Sequence, residues 1–220
     1  MMNKILLKTK KIFNRAFSKD LDYKNYWNNE YVTGAGSGPG SYGKPAEFKA
    51  EVINGFLKEN EITSVIEFGC GDGNQLSMIS YPDYLGLDVA RASVELCTER
   101  FKDNAARSFM WYDPGAFVNP SLFLKADLVV CLDVLYHIID DNDFLRTLDA
   151  IFSCASRHVI LYTTTDIHEK KDYEYMKGSH GKHRDTMHYL SQFSDFEIVK
   201  TIPQRHPDLS SASFIILTKK

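Results

Sequence analysis

The sequence predicts an α/β fold: a Rossmann-like, doubly wound, seven-stranded sheet, mostly parallel, with a C-terminal antiparallel hairpin and an N-terminal helical cap. Three observations carry this expectation. After Asn60, short apolar runs alternate with segments of helical period. The first run ends in a glycine cluster at residues 69–73. The last two runs are joined only by a loop, which predicts a hairpin on the sheet edge.

Taken in order, the chain begins basic. Lys4, Lys8, Lys10, Lys11, Arg15 and Lys19 precede the first acid, Asp20, and Ile5, Thr9, Ile12, Phe13, Ala16 and Phe17 recur at helical spacing. Residues 1–19 therefore read as a basic amphipathic helix, either making peripheral contact with an anionic membrane surface or packing on its own domain. Tyr26 and Trp27 follow, and then residues 34–43, a glycine-dense stretch bracketed by Tyr31 and Tyr42. It reads as a lid over a ligand. These features define an N-terminal unit over residues 1–45, ahead of the main domain at 46–220. Pro45 suits the first turn of a helix whose Phe48, Val52, Ile53, Phe56 and Leu57 share one face.

Seven runs then predict seven strands, at residues 64–69, 84–89, 108–112, 126–133, 157–163, 196–201 and 213–218. Near-continuous apolar runs separated by helices indicate a parallel sheet covered on both faces. The clearest helix spans 141–154. It opens on acidic and Asn capping residues and carries Phe144, Leu145, Leu148, Ile151 and Phe152 as a stripe.

Composition narrows the function classes. With 220 residues, 44% hydrophobic, 25% charged and 13% aromatic, the chain is an ordinary globular one. A net charge of −3 argues against a global nucleic-acid footprint. No apolar run approaches the roughly 20 residues of a membrane span, and no secretory signal is visible. The cysteines, Cys70, Cys97, Cys131 and Cys154, form no CxxC pair and no zinc-spaced cluster with histidine. Free buried thiols in a cytoplasmic compartment are expected, at the inner membrane face if the basic helix docks there.

The glycine cluster reads Glu67-Phe68-Gly69-Cys70-Gly71-Asp72-Gly73-Asn74-Gln75. Glycines at a strand end let the backbone turn sharply and approach a ligand, and a following helix would offer free N–H groups. The third glycine comes one position earlier than in the dinucleotide fingerprint GxGxxG. Glu67, two residues before Gly69, would repel a pyrophosphate and suits a ligand carrying positive charge. The second run ends in Asp88, at about the spacing where an acid grips ribose hydroxyls. The third is followed by Asp113, placed to accept from an adenine amino group. A ribose, an adenine and no pyrophosphate describe S-adenosylmethionine.

These residues resemble the class I S-adenosylmethionine-dependent methyltransferases, whose first motif is E/D-x-G-x-G-x-G. The resemblance extends to Asp88, to Asp113 and to the fourth run, which ends Leu132-Asp133-Val134-Leu135-Tyr136-His137. It implies a cofactor site of Tyr26, Glu67, Gly69, Gly71, Gly73, Gln75, Asp88, Val89, Asp113 and Asp133. A narrower likeness links Tyr26-Trp27, residues 34–43, the glycine motif, residues 133–137 and His180, His183 and Arg184. It is to a bacterial methyltransferase group often found with surface-polysaccharide biosynthesis, and implies a small sugar-type acceptor. The NPPY-type tetrapeptide of many amino-group methyltransferases is replaced by Asp133-Val134-Leu135-Tyr136.

Methyl transfer to an alcohol needs alignment and removal of a proton. His137, directly after the strand-four acid, and His183 are the candidate bases, with Asp133 beside them. Tyr42, Tyr136, His180 and Arg184 are expected to contact the acceptor, Arg184 through a bidentate grip on a phosphate or carboxylate. His168, His180, His183 and His188 lie close in sequence but lack carboxylate partners, so no metal site is expected. The rival readings are an NAD-dependent oxidoreductase and a non-catalytic, methyltransferase-like regulatory subunit.

Overall fold

The computed structural model describes residues 21–165 and 181–220. The basic segment of residues 1–19, His168 and His180 lie outside them. Two helices, α1 (Tyr23–Thr33) and α2 (Gly43–Glu59), lead into β1 (Ser64–Phe68) and β2 (Asp83–Asp88). There follow α3 (Arg91–Arg100), β3 (Arg107–Trp111), β4 (Ala126–Leu132), α4 (Asp141–Cys154) and β5 (Ala155–Thr163). A short α5 (Thr186–Leu190) precedes β6 (Phe196–Pro203) and β7 (Ser213–Lys219). The strands form one sheet in the order β3-β2-β1-β4-β5-β7-β6. Strands β1 to β5 pair in parallel, and β7 runs antiparallel between β5 and β6. The predicted sheet, including its terminal hairpin, is the one observed.

Alternation along the central strands divides the core in two. Ile66, Val129, Cys131, Val159 and Leu161 face one side, where Phe144, Leu148 and Ile151 of α4 cover them. Val65, Leu128, Val130 and Ile160 face the other, beneath Phe48, Ile53 and Leu57 of α2 and Cys97 of α3. Because both faces are covered, both residues of each pleat are apolar, which is why these strands read as continuous runs. Asp140 caps α4 by accepting from the Asp143 N–H at 2.9 Å. All four cysteines are free and buried.

Two elements depart from the sequence reading. The helix expected after Gly73 does not form; residues Leu76–Met78 make only a 3₁₀ turn. Local side-chain bonds compete there with an α-helix. The Ser77 hydroxyl donates to the Asn74 carbonyl at 2.7 Å, and the Ser80 N–H is taken by Asn54 Oδ1 at 2.8 Å. The ladder must also end before Pro82. The second departure is α1, a helix that the sequence reading did not mark because its apolar stripe is aromatic and interrupted. Asp22 caps it, accepting from the N–H groups of Lys24 and Asn25, and Gly34 ends it at φ 79°.

Candidate functional site

The carboxyl ends of β1, β2 and β4 meet at the point where strand order reverses from β1-β2 to β1-β4, the usual place for a ligand cleft in such sheets. A cleft opens there, with walls from residues 67–72 and 132–134, Gln75, Asp88 and Val89 of the sheet edge, Tyr23, Trp27 and Tyr31 of α1, Lys49 of α2, and Ser37 and Ser41 of the glycine-rich loop.

The turn after β1 is held from several sides. Gly69, Gly71 and Gly73 all have positive φ, a region costly for other residues. Gly69 lies against Val134, and Gly71 against Ser37. Gly73 plays a different part: a Cβ there would meet Phe101 at 2.7 Å and Cys97 Sγ at 3.1 Å, so it allows close packing on α3 and does not line the cleft. Asp88 accepts from the Gly71 N–H at 3.0 Å and the Ala90 N–H at 2.9 Å. Burial raises its pKa, opposed by these backbone donors.

Glu67 stands in the cleft at 3% exposure, accepting from the Tyr84 hydroxyl at 2.6 Å. Burial pushes its carboxyl up to about 7, while the Tyr84 hydroxyl and the Lys49 charge pull the other way. Lys49, 1% exposed, reaches from α2 to Asp133 Oδ2 at 2.5 Å. Asp133 itself has φ 59°, and its other oxygen accepts from the Tyr136 hydroxyl at 2.7 Å. Gln75 donates from Nε2 to the Ala46 carbonyl at 3.0 Å, whereas its Oε1 is buried without a partner. An unpaired acceptor in a cleft wall fits a ligand that brings a donor. Carboxylates at Glu67, Asp88 and Asp133 likewise suit a ligand with hydroxyl and cationic groups, so the donor set fits S-adenosylmethionine.

The glycine-rich loop lies on the β1 turn. The Ser37 N–H donates to Asp72 Oδ2 at 3.2 Å, the Asp72 N–H to Ser37 Oγ at 2.9 Å, and Asn74 Nδ2 to the Ser41 carbonyl at 2.8 Å. Tyr42 donates its hydroxyl to Asp72 and is half-exposed at the rim, outside the cleft wall. Gly40 approaches Asp133 so closely that a Cβ would stand 3.2 Å from Oδ2.

On the acceptor side, His137 lines the cleft in a 3₁₀ turn, Leu135–His137, with its ring edge-on to Trp27 at 4.7 Å and beside Tyr136 at 4.4 Å. Tyr136 and His183 stack at 5.6 Å behind it, and His183 Nδ1 pairs with Thr164 Oγ1 at 3.1 Å; neither lines the cleft.

Besides Gly73, Tyr42, Tyr136 and His183, three more expected site residues stand outside the cleft wall. Helical period turns Tyr23, Trp27 and Tyr31 to the cleft, so Tyr26, one position off, stands beside it. Asp113 is held by Lys24 at 2.9 Å, which keeps its carboxyl below the usual range, and it does not line the cleft. Arg184 is the clearest correction. Its guanidinium is 4% exposed, donating to the Ile138 carbonyl at 2.7 Å, the Ile139 carbonyl at 3.2 Å and Asp141 at 2.8 Å, over the Phe144 ring. It fastens the segment before α5 to the start of α4, and leaves no fork for an acceptor phosphate. Two cleft residues, Lys49 and Trp27, are not among the site residues expected from the sequence. Lys49 sits on the same face of α2 as Phe48 and Ile53, a buried position where a lysine is rare unless paired.

A family model described as a methyltransferase domain matches residues 42–200. No curated protein sequence matches the chain significantly. Among solved structures, the chain is similar to the magnesium protoporphyrin IX methyltransferase of Synechocystis, with TM-score 0.61, 18% identity and coverage of 96% of this chain and 100% of that one. It is similar to the N-methyltransferase NodS of Bradyrhizobium japonicum, with TM-score 0.67, 13% identity and coverage of 90% and 99%. An amino pentose methyltransferase of Micromonospora echinaspora, from calicheamicin biosynthesis, matches with TM-score 0.60, 14% identity and coverage of 81% and 93%.

Proposed function

Given that the chain belongs to the methyltransferase domain family and takes its methyl group from S-adenosylmethionine, we propose that it methylates a hydroxyl of a small carbohydrate-type or nucleotide-linked acceptor, in surface-polysaccharide biosynthesis. The family membership removes the oxidoreductase alternative. The observation that carries the hydroxyl reading is His137 in the cleft wall, close in sequence to Asp133. An imidazole titrates near working pH without tuning, and an alcohol, unlike a neutral amine, must lose a proton as it attacks.

When bound, S-adenosylmethionine supplies an electrophilic methyl on a sulfonium whose leaving group is a neutral thioether. The chain's residues do the rest. Glu67, Gly69, Gly71, Gln75, Asp88 and Val89 hold the donor, Trp27 and His137 bound the acceptor space, and His137 takes the hydroxyl proton. Asp133, fixed by Lys49 and Tyr136, borders the same space. The α1 helix and the glycine-rich loop act as cap and lid on the domain at 46–220. No described helix is long and apolar enough to cross a membrane; the four free thiols support a cytoplasmic setting.

The test is a screen of sugar nucleotides and their amino-sugar counterparts with methyl-labelled donor. A hydroxyl product is expected, with His137→Ala lowering turnover by ~10²-fold or more and donor affinity unchanged by calorimetry. Methylation confined to amines, or full activity in His137→Ala, would sink the hydroxyl reading.

A further inference from the structure

The loop between β3 and β4 sends its apolar residues in two directions. Phe117 and Leu124 pack against the core on the α4 side of the sheet. Val118, Leu122 and Phe123 turn to solvent and are 82%, 47% and 88% exposed. The turn that presents them is braced from within. Asn119 Nδ2 donates to the Leu124 carbonyl at 2.9 Å, and the Leu124 N–H donates back to Asn119 Oδ1 at 3.1 Å. The Leu122 N–H donates to the Asn119 carbonyl at 3.0 Å, with Leu122 held at φ 53°, a region costly for a bulky side chain. Single exposed apolar residues are ordinary. Three of them on one framed turn make a patch.

The charge beside the patch is cationic. Residues 114–125 hold no acid, in a chain with 29 of them, and end in the exposed Lys125. Arg146 of α4 reaches over the start of the loop, its Nη1 standing 3.7 Å from where a Cβ on Gly115 would lie. Asp113, which opens the loop, is bonded to Lys24 of α1 at 2.9 Å. The chain therefore enters α1 beside this loop. Ahead of that entry, residues 1–20 carry six cations and one acid.

We propose that this loop docks the protein on an anionic lipid surface, with Val118, Leu122 and Phe123 inserted as a wedge and the neighbouring cations on the headgroups. A protein partner fits the patch less well. Three side chains offer at most a few hundred Å², against the roughly 800 Å² that each side of a stable interface covers. A bilayer asks for less, because an apolar wedge and a basic cluster act together on one surface, where either alone gives only weak, reversible contact.

The test is co-sedimentation of the full chain with vesicles of phosphatidylcholine alone and of equal parts phosphatidylcholine and phosphatidylglycerol. The wild type should prefer the anionic vesicles by about tenfold or more, and raising the salt should erase that preference. Removing the wedge, in Val118→Ser/Phe123→Ser, should lower binding to anionic vesicles about tenfold, whereas Phe123→Leu should retain it. Because both side chains stand in solvent, the double variant should melt at the wild-type temperature; if it does not fold, Phe123→Ser alone decides. Equal vesicle binding by the wild type and the double variant overturns the proposal and leaves the basic segment as the contact. Failure of the wild type to bind anionic vesicles overturns it as well. A concentration-dependent dimer in ultracentrifugation, abolished in the double variant, would assign the patch to a second copy of the chain instead.

Discussion

At the scale of single residues, the same type of side chain serves opposite ends. Asp88 ends β2 and Asp113 follows the neighbouring β3, yet Asp88 is buried in the cleft while Asp113 is spent on Lys24 outside it. Asp88 also fastens the glycine turn, so Asp88→Ala should do two things. Donor affinity should drop by about 1.5–3 kcal/mol for each lost charged hydrogen bond, read by calorimetry. The melting temperature should fall as well, since the buried Gly71 and Ala90 N–H groups lose their acceptor. Arg184→Ala is expected to be a stability mutant. Loss of two carbonyl bonds and the Phe144 contact should cost about 2 kcal/mol in chemical denaturation, and wild-type donor affinity should persist in the folded fraction. The motif residues Glu67, Gly69 and Gly71 are legible because their spacing at the end of β1 is a local property, and Asp88 because it ends the next apolar run. Lys49 is not, because nothing local marks which lysine of an amphipathic helix meets a carboxylate far along the chain.

Elements show where local pattern suffices and where it is overruled. The α4 helix is written in its caps and stripe, and forms at the predicted bounds, Asp141–Cys154. The helix expected after Gly73 is overruled by Ser77, Asn54 and Pro82. The glycine-rich loop is legible as unusual but not as to its partner. In the structure it is pinned to the β1 turn through Ser37, Ser41 and Tyr42, bonds that lie near the surface and exchange with water at low cost. We expect amide hydrogen exchange across residues 34–43 to slow when S-adenosylhomocysteine is added. Unchanged exchange would make the loop a simple connection.

For the whole molecule, burial sets a pH dependence. The Glu67 carboxyl lies near 4.5 when solvated and at about 7 in the fold. Below about 4.5 it is protonated in both states and costs nothing. As pH rises from there to about 7, the unfolded chain gives up its proton first, so this group's contribution to stability falls. Denaturation of the ligand-free protein should therefore show stability declining across that window, and Glu67→Gln should flatten the decline. Asp113 and Asp127 act oppositely. Lys24 holds the first below the usual carboxylate range and the Thr63 hydroxyl and N–H the second, so their contribution is lost only in acid, as pH falls through their native values.

The sequence by itself determined the fold class, the strand succession, the terminal hairpin and the acid-and-glycine motif. Each is encoded in periodicity or short spacing, which the chain obeys wherever both faces of a strand are buried. Tertiary structure decided the rest: that Trp27 and not Tyr26 faces the cleft, that Lys49 pairs with Asp133, that Arg184 is a fastener, and that the loop rests on Asp72. Those outcomes depend on which distant segments the sheet order brings together. A charged side chain goes to the partner that best offsets its loss of water, and that partner is fixed only when the elements pack.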